Sequence, residues 1–257
     1  TGVQTCALPI FRRARAAGVP GSRITFSGVG KTAREIALAL DENILCFNVE
    51  SEPELHAIAK IACEKSRRAR ISLRVNPDVD PKTHPYISTG LKESKFGIPY
   101  GDAPRLYRKA LGMSGLRVTG IDFHIGSQLT QVDPFVAALE KILEFVDQLE
   151  REGTKLEHID LGGGLGIRYA DEAPPSVASY LEKLLERLNR RRLRILLEPG
   201  RSLVGNAGLL LTRVEYLKPG AEKNFAIVDA AMNDLMRPAL YEAWHDVLPV
   251  RPHDGAT

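Results

Sequence analysis

The chain has 257 residues, with 35 Lys and Arg against 32 Asp and Glu, a formal net charge of +3 with His neutral. Its content, 44 % hydrophobic and 26 % charged, is that of a globular protein and excludes intrinsic disorder. The near balance of charge argues against a nucleic-acid surface, and apolar stretches such as Ala207–Leu211 fall far short of the ~20 residues of a membrane span.

Thr1–Ile10 (TGVQTCALPI) has no initiator Met, no basic region and no long apolar region. It reads as the translation of a sequencing-library adapter and is set aside from the fold, Cys6 included. The other cysteines, Cys46 and Cys63, share no CxxC spacing, so neither a disulfide framework nor a zinc site is expected, and the chain reads as reduced and intracellular.

From Phe11 onward, strand and helix patterns alternate. Phe11–Ala17 is the tail of a helix stopped by Gly18, and Arg23–Ser27 is a β-rich run. Lys31–Asp41 has helical apolar spacing, and Ile44–Val49 is a second strand. Ser51 is an N-cap with Glu54 completing a capping box, for a helix to about Ser66. Ala69–Val75 is a third strand. Asn76–Gly101 is a long segment rich in Pro, Gly, Ser and Thr, and loops of that length are usually functional. Asp102–Leu111 is helical, Leu116–His124 a strand, Asp133–Glu152 an amphipathic helix ended by Gly153, and Leu156–Leu161 a strand. Ser176–Asn189 is helical and Leu193–Glu198 is the sixth strand. Gly208–Leu217 and Asn224–Asp229 then follow without a comparable helix between them, which marks a second, β-rich domain from near Gly205.

Such alternation predicts a parallel sheet, doubly wound or a (β/α)8 barrel. The polar, Gly-rich motifs follow many different strands: Ser27–Gly30, Asn76–Asp80, His124–Ser127, Gly162–Gly166 and Glu198–Arg201. That distribution is the barrel pattern, whereas a doubly wound sheet gathers its ligand groups at one switch point.

Gly30-Lys31-Thr32 invites a P-loop reading, but the position that needs the first glycine is Thr25. Gly162-Gly163-Gly164 opens a βα loop whose backbone could approach a phosphate closely, or simply make a tight turn. Glu198-Pro199-Gly200-Arg201 places a carboxylate and a forked anion receptor three residues apart, as a ligand site or as a strand-end ion pair. His124 closes a strand, with Asp122 on the same face. His56, His84, His158, His245 and His253 show no metal-ligand spacing, and neither HExxH nor GxSxG occurs.

Six segments carry a resemblance: FSGVGKT, LRVNPDVDPKTHPYISTGLKESKFGI, GIDFHIGSQ, DLGGGLGI, LEPGRSLVGNAG and VDAAMNDLMRPALYEAWH. From about Phe11 to about Leu248 the chain resembles the diaminopimelate decarboxylases, fold-type III enzymes that use pyridoxal 5′-phosphate. The resemblance implies that His124 stacks on the cofactor ring and that Glu198 pairs with the ring nitrogen. It implies that Ser127, Gly162, Gly163, Gly164 and the Pro199–Gly200–Arg201 turn hold the phosphate. Arg201, Arg237 and Tyr241 would grip the distal end of an amino-acid substrate. It further implies a cytoplasmic homodimer that converts meso-2,6-diaminopimelate to L-lysine and CO2. Decarboxylases for arginine, ornithine or carboxynorspermidine, and a non-catalytic cofactor-binding homologue, remain alternatives. A distal carboxylate wants Arg, whereas a distal ammonium or guanidinium wants an acid.

The chain departs from the family in what it lacks. The Schiff-base Lys belongs to a strand that would precede Phe11, and Lys31 matches a position without that role. A general-acid Cys has no counterpart either. The expected architecture is therefore an incomplete TIM barrel over 11–205, with about six of the eight strands, followed by the start of a β-rich domain over 206–257. Such a piece is expected to be inactive and prone to aggregation through its open sheet edges.

Overall fold

In the computed structural model, which describes residues 3–5, 8–79, 95–188 and 191–251, strands and helices alternate as far as Leu196. The strands are β1 (Val3–Thr5), β2 (Ile24–Phe26), β3 (Cys46–Val49), β4 (Ala69–Asn76), β5 (Ile98–Pro99), β6 (Leu116–Asp122), β7 (His158–Asp160) and β8 (Arg194–Leu196). The helices among them are α1 (Leu8–Ala16), α2 (Ala33–Asp41), α3 (Glu52–Glu64), α4 (Ala103–Leu111), α5 (Asp133–Arg151) and α6 (Val177–Leu188). The main ladder runs β1-β2-β3-β4-β6-β7-β8, and β5 pairs with the end of β4. Every one of these pairings is parallel. Sequential parallel strands joined by helices form the wall of a (β/α)8 barrel that has not closed.

All six strands expected from the sequence are present. Within Thr1–Ile10, Val3–Thr5 pairs with Ile24–Phe26, and α1 begins at Leu8. The outer edge on that side is thus β1 rather than β2. Most of the long segment after Asn76 lies outside the described residues. Its described end adds the short strand β5.

Alternation along the strands explains both the packing and the site. Phe47, Val49, Ile71, Leu73, Val75, Ile121 and Ile159 are at most 1 % exposed and belong to one apolar core with the helices. Their even-numbered neighbours point to the other face, which is polar. Register aligns Asn48, Ser72, Gly120, His158 and Arg194 across the sheet, and then Arg74, Asp122 and Asp160 one layer higher. Tyr107 anchors the helical layer. Its ring meets Phe145 edge-on at 5.4 Å, and its hydroxyl donates to the Gly120 carbonyl at 2.9 Å.

The helix starts hold one correction. Ser51 caps α3 by accepting from the Glu54 N–H at 3.3 Å, but the box is not reciprocal. The Glu54 carboxylate instead takes Lys31 at 2.6 Å and the Glu50 N–H at 3.0 Å. A complete box forms at α2, where Thr32 and Glu35 satisfy each other's backbone N–H groups.

Beyond Gly205 the topology changes. Strands β9 (Val214–Lys218) and β10 (Phe225–Val228) pair antiparallel, and every residue in them is exposed. Short helices α7 (Arg201–Val204) and α8 (Arg237–Tyr241) flank this pair in the sequence. Among the described residues, no helix is long and apolar enough to cross a membrane.

Candidate functional site

The polar residues gather where β3, β4, β6, β7 and β8 end, the face at which barrel enzymes carry their chemistry. Strand β6 stops at Asp122, so His124 stands just past the strand rather than closing it. Its Nδ1 accepts the Gly163 N–H at 3.1 Å. That bond places the ring proton of a neutral imidazole on Nε2. Burial, aided by the positive charge of Arg74, pushes His124 down to about 3, so the ring stays neutral at physiological pH.

The Gly-rich loop is locked against its neighbours. Gly162 and Gly164 have φ of +64° and +113°, a region that side chains disfavour. A Cβ on Gly163 would lie 2.1 Å from the Glu198 carbonyl oxygen. The Gly162 N–H donates to Asp160 at 3.0 Å, and the Glu198 N–H donates to the Gly162 carbonyl at 2.7 Å. The amides of Gly162 and Gly163 are therefore engaged by Asp160 and His124, and these two glycines first serve to bring the loop close to Glu198.

Glu198 Oε1 accepts from Ser27 at 3.3 Å and from Asn48 at 3.5 Å. Beneath it lie Asp122 and Asp160, each 1 % exposed. One oxygen from each of the three acids lies within 4.8 Å of the other two. Burial raises Asp122 and Glu198 well above the ordinary carboxylate range, and the neighbouring acids push them further. Asp160, also raised mainly by burial, stands at about 6. Arg74 is a buried cation in register with Asp122, and its Nη1 is 3.4 Å from Glu50. The sequence reading passed over Asp160 and Arg74, although the strand alternation that places Asp122 inward applies to both.

A second cluster of side chains is basic. Arg201 donates to the Ser127 hydroxyl at 3.1 Å and to the Tyr169 hydroxyl at 2.8 Å. The guanidinium carbons of Arg201 and Arg237 lie 5.7 Å and 4.8 Å from the centre of the Tyr169 ring. His245 meets the same ring edge-on at 5.4 Å. The Nε atoms of Arg201 and Arg237 are buried without a hydrogen-bond partner. Two guanidinium groups with buried, unused donors make an anion receptor. Tyr241 lies one helical turn after Arg237 on α8 and is half-buried, while Pro199 and Gly200 are exposed. Tyr169 was not anticipated as part of the site, because no motif or periodicity marks it, and His245, the last residue of VDAAMNDLMRPALYEAWH, was considered only for metal-ligand spacing.

Lys31 is sealed away from this mouth. Its side chain is 1 % exposed, and its Nζ donates to Glu54 at 2.6 Å and to the carbonyls of Gly28 and Asn48 at 2.8 and 2.7 Å.

Residues 9–205 match the family model described as the pyridoxal-binding domain of pyridoxal-dependent decarboxylases. The diaminopimelate decarboxylase of Pseudomonas aeruginosa is 56 % identical over 246 residues, which is 96 % of this chain and 59 % of that protein. That of Neisseria meningitidis serogroup A is 57 % identical over 244 residues, 95 % of this chain and 60 % of the relative. The chain thus spans about three-fifths of the length of the curated relatives it matches. The structure of Helicobacter pylori diaminopimelate decarboxylase complexed with L-lysine superposes with a TM-score of 0.94 at 43 % identity, covering 99 % of this chain and 64 % of that one. Lysine decarboxylase from Selenomonas ruminantium aligns with a TM-score of 0.83 at 25 % identity, over 95 % of this chain and 62 % of its own. With its barrel wall, its acid-lined mouth and these relatives, the chain belongs to the pyridoxal-dependent decarboxylases, among the homologues of diaminopimelate decarboxylase.

Proposed function

We propose that this chain forms most of the cofactor cradle of an enzyme that removes CO2 from meso-2,6-diaminopimelate and leaves L-lysine. The observation that carries the reading is the pair of guanidinium groups around Tyr169, each with a buried Nε lacking an acceptor. A cofactor with a phosphate and a substrate with a distal carboxylate both call for such a receptor. The relatives' names and the L-lysine bound to the Helicobacter pylori protein point the same way.

Pyridoxal phosphate, when bound, supplies an electron sink for the pair left behind as CO2 departs. The residues present fit it. Glu198, at the bottom of the mouth, would face the ring nitrogen, where a carboxylate favours the protonated ring. His124, neutral and held by Gly163, would cover the ring face. Ser127, the Gly162–Gly164 loop, Pro199–Gly200 and Arg201 would bind the phosphate, while Arg201, Arg237 and Tyr241 would hold the distal end of the substrate.

The lysine that joins the cofactor is not Lys31, whose ammonium is enclosed by Glu54 and two carbonyls. In this reading the 257 residues alone are inactive, residues 206–257 begin a β domain, and the whole protein is a cytoplasmic homodimer. The test is CO2 and lysine release by the whole protein with pyridoxal phosphate, on meso-2,6-diaminopimelate against ornithine and arginine. Turnover of diaminopimelate alone supports the substrate assignment. Preference for a substrate without a distal carboxylate, or release of CO2 from none, contradicts it.

A further inference from the structure

The acids behind Glu198 are more than a polar plug. Ladder register sets Arg74, Asp122 and Asp160 side by side on β4, β6 and β7. They are 8 %, 1 % and 1 % exposed. Glu198 stands two residues beyond Leu196, the register partner of Asp160, and therefore on the same face. With the three acids inside 4.8 Å and one guanidinium shared with Glu50, three full negative charges cannot coexist there.

Asp160 is the member placed to keep its charge. Its Oδ1 accepts the Gly162 N–H at 3.0 Å. Asn48 and the Glu198 carboxyl also act on the Asp160 side chain in favour of its charged form. The charged and titratable groups acting across this space are Cys46 from β3, Arg74 from β4, Asp122 from β6, Tyr180 from α6 and Glu198 after β8. Lys31 and Glu50 act on Asp122. Burial, followed by the charge of Asp160, holds Glu198 up as an acid, whereas Asp160 itself is released at about 6.

We propose that Asp160 is a positioning residue that keeps a proton on the Glu198 carboxyl in the empty site, so that a ring carrying a protonated nitrogen can bind there only as that proton leaves. The proposal rests on the assignment of Glu198 to the ring nitrogen. The step balances simply. A proton passes from the Glu198 carboxyl to solvent, and the carboxylate left behind faces the N–H of the bound ring. Cofactor binding is then linked to pH through a residue that never touches the cofactor.

The probe is 4′-deoxypyridoxine 5′-phosphate, which has the ring and phosphate but no aldehyde and so forms no bond to any lysine. Calorimetry on the cofactor-free whole protein, in buffers of different ionisation enthalpy, counts the protons released. The native protein should release about one proton per site near neutral pH, with affinity rising up to about tenfold per pH unit. Asp160→Asn should cut the release to under about half and flatten the affinity profile, while Asp122→Asn, which leaves the Asp160 charge in place, should stay close to native. An affinity independent of pH in the native protein overturns the proposal without any variant. An unchanged proton count in Asp160→Asn overturns the role of Asp160 while the cofactor assignment stands. Failure of the probe to bind at all overturns both.

Discussion

The mouth of the barrel has two poles that are built differently. In the acid pole, Asp122 and Asp160 are fixed by ladder register and buried, and Glu198 stands half-buried just past the end of β8. This pole cannot move without shifting a strand, and a one-residue slip would turn each side chain to the opposite face. The basic pole is assembled by side-chain stacking from residues far apart in sequence: Ser127, Tyr169, Arg201 and Arg237. One of its members sits on α8, in a segment where Leu209 is 89 % and Val247 90 % exposed. The contrast teaches that the acid pole belongs to the fold, while the basic pole depends on a few contacts and on whatever packs against the region after Gly205.

Substitutions can separate the two. The largest effect is expected at Arg201→Ala, which removes a guanidinium reaching both Ser127 and Tyr169. Loss of two charge-assisted bonds to a bound anion is worth about 4 kcal/mol, or roughly 1000-fold in affinity for pyridoxal phosphate by fluorescence titration. Circular dichroism of the barrel should barely change.

The acid pole should instead declare itself in stability against pH. Asp160 has its pKa raised to about 6 in the folded chain, so the folded state holds the proton more tightly than the unfolded one. Its contribution is complete below about pH 4 and is lost as pH rises toward 6. Asp160→Asn should therefore gain stability relative to native protein across that window, on the order of 3 kcal/mol by denaturant unfolding. His124 and His158 act with the opposite sign. Burial lowers them to about 3 and about 4, so their contribution is present above about pH 6.5 and is lost as pH falls. His158→Gln should flatten that acidic arm alone.

Smaller effects are expected at Tyr169. Tyr169→Leu loses two cation–π contacts, each about 0.5–1 kcal/mol, together with the hydroxyl, and should weaken cofactor or substrate binding by about 50-fold. Tyr169→Phe keeps the ring and loses only the hydroxyl that accepts from Arg201, so about fivefold is expected. Equal losses for the two variants would mean that the stacking carries no weight.

Much of this was legible because its signals are periodic or geometric. The apolar spacing of α5, the β-rich runs and the glycines after β7 follow directly from backbone requirements. Glu198 was legible from its place at a strand end beside Pro and Gly. Tyr169 was not, because its role arises from two arginines 32 and 68 positions later in the chain meeting one ring. Asp160 was not, because a single acid in a short strand reads as solvated until register shows Asp122 beside it. Glu54 misled for a similar reason. Its spacing from Ser51 fits a capping box, but a buried lysine across the helix pair competes for the same carboxylate and wins.

The most direct measurement of the two-pole site is the affinity of the cofactor-free whole protein for 4′-deoxypyridoxine 5′-phosphate against 4′-deoxypyridoxine, by calorimetry in the same buffer. Opposite poles that hold the two ends of one ligand predict that the phosphate tightens binding by at least about 100-fold. Equal affinities for the two compounds would contradict it.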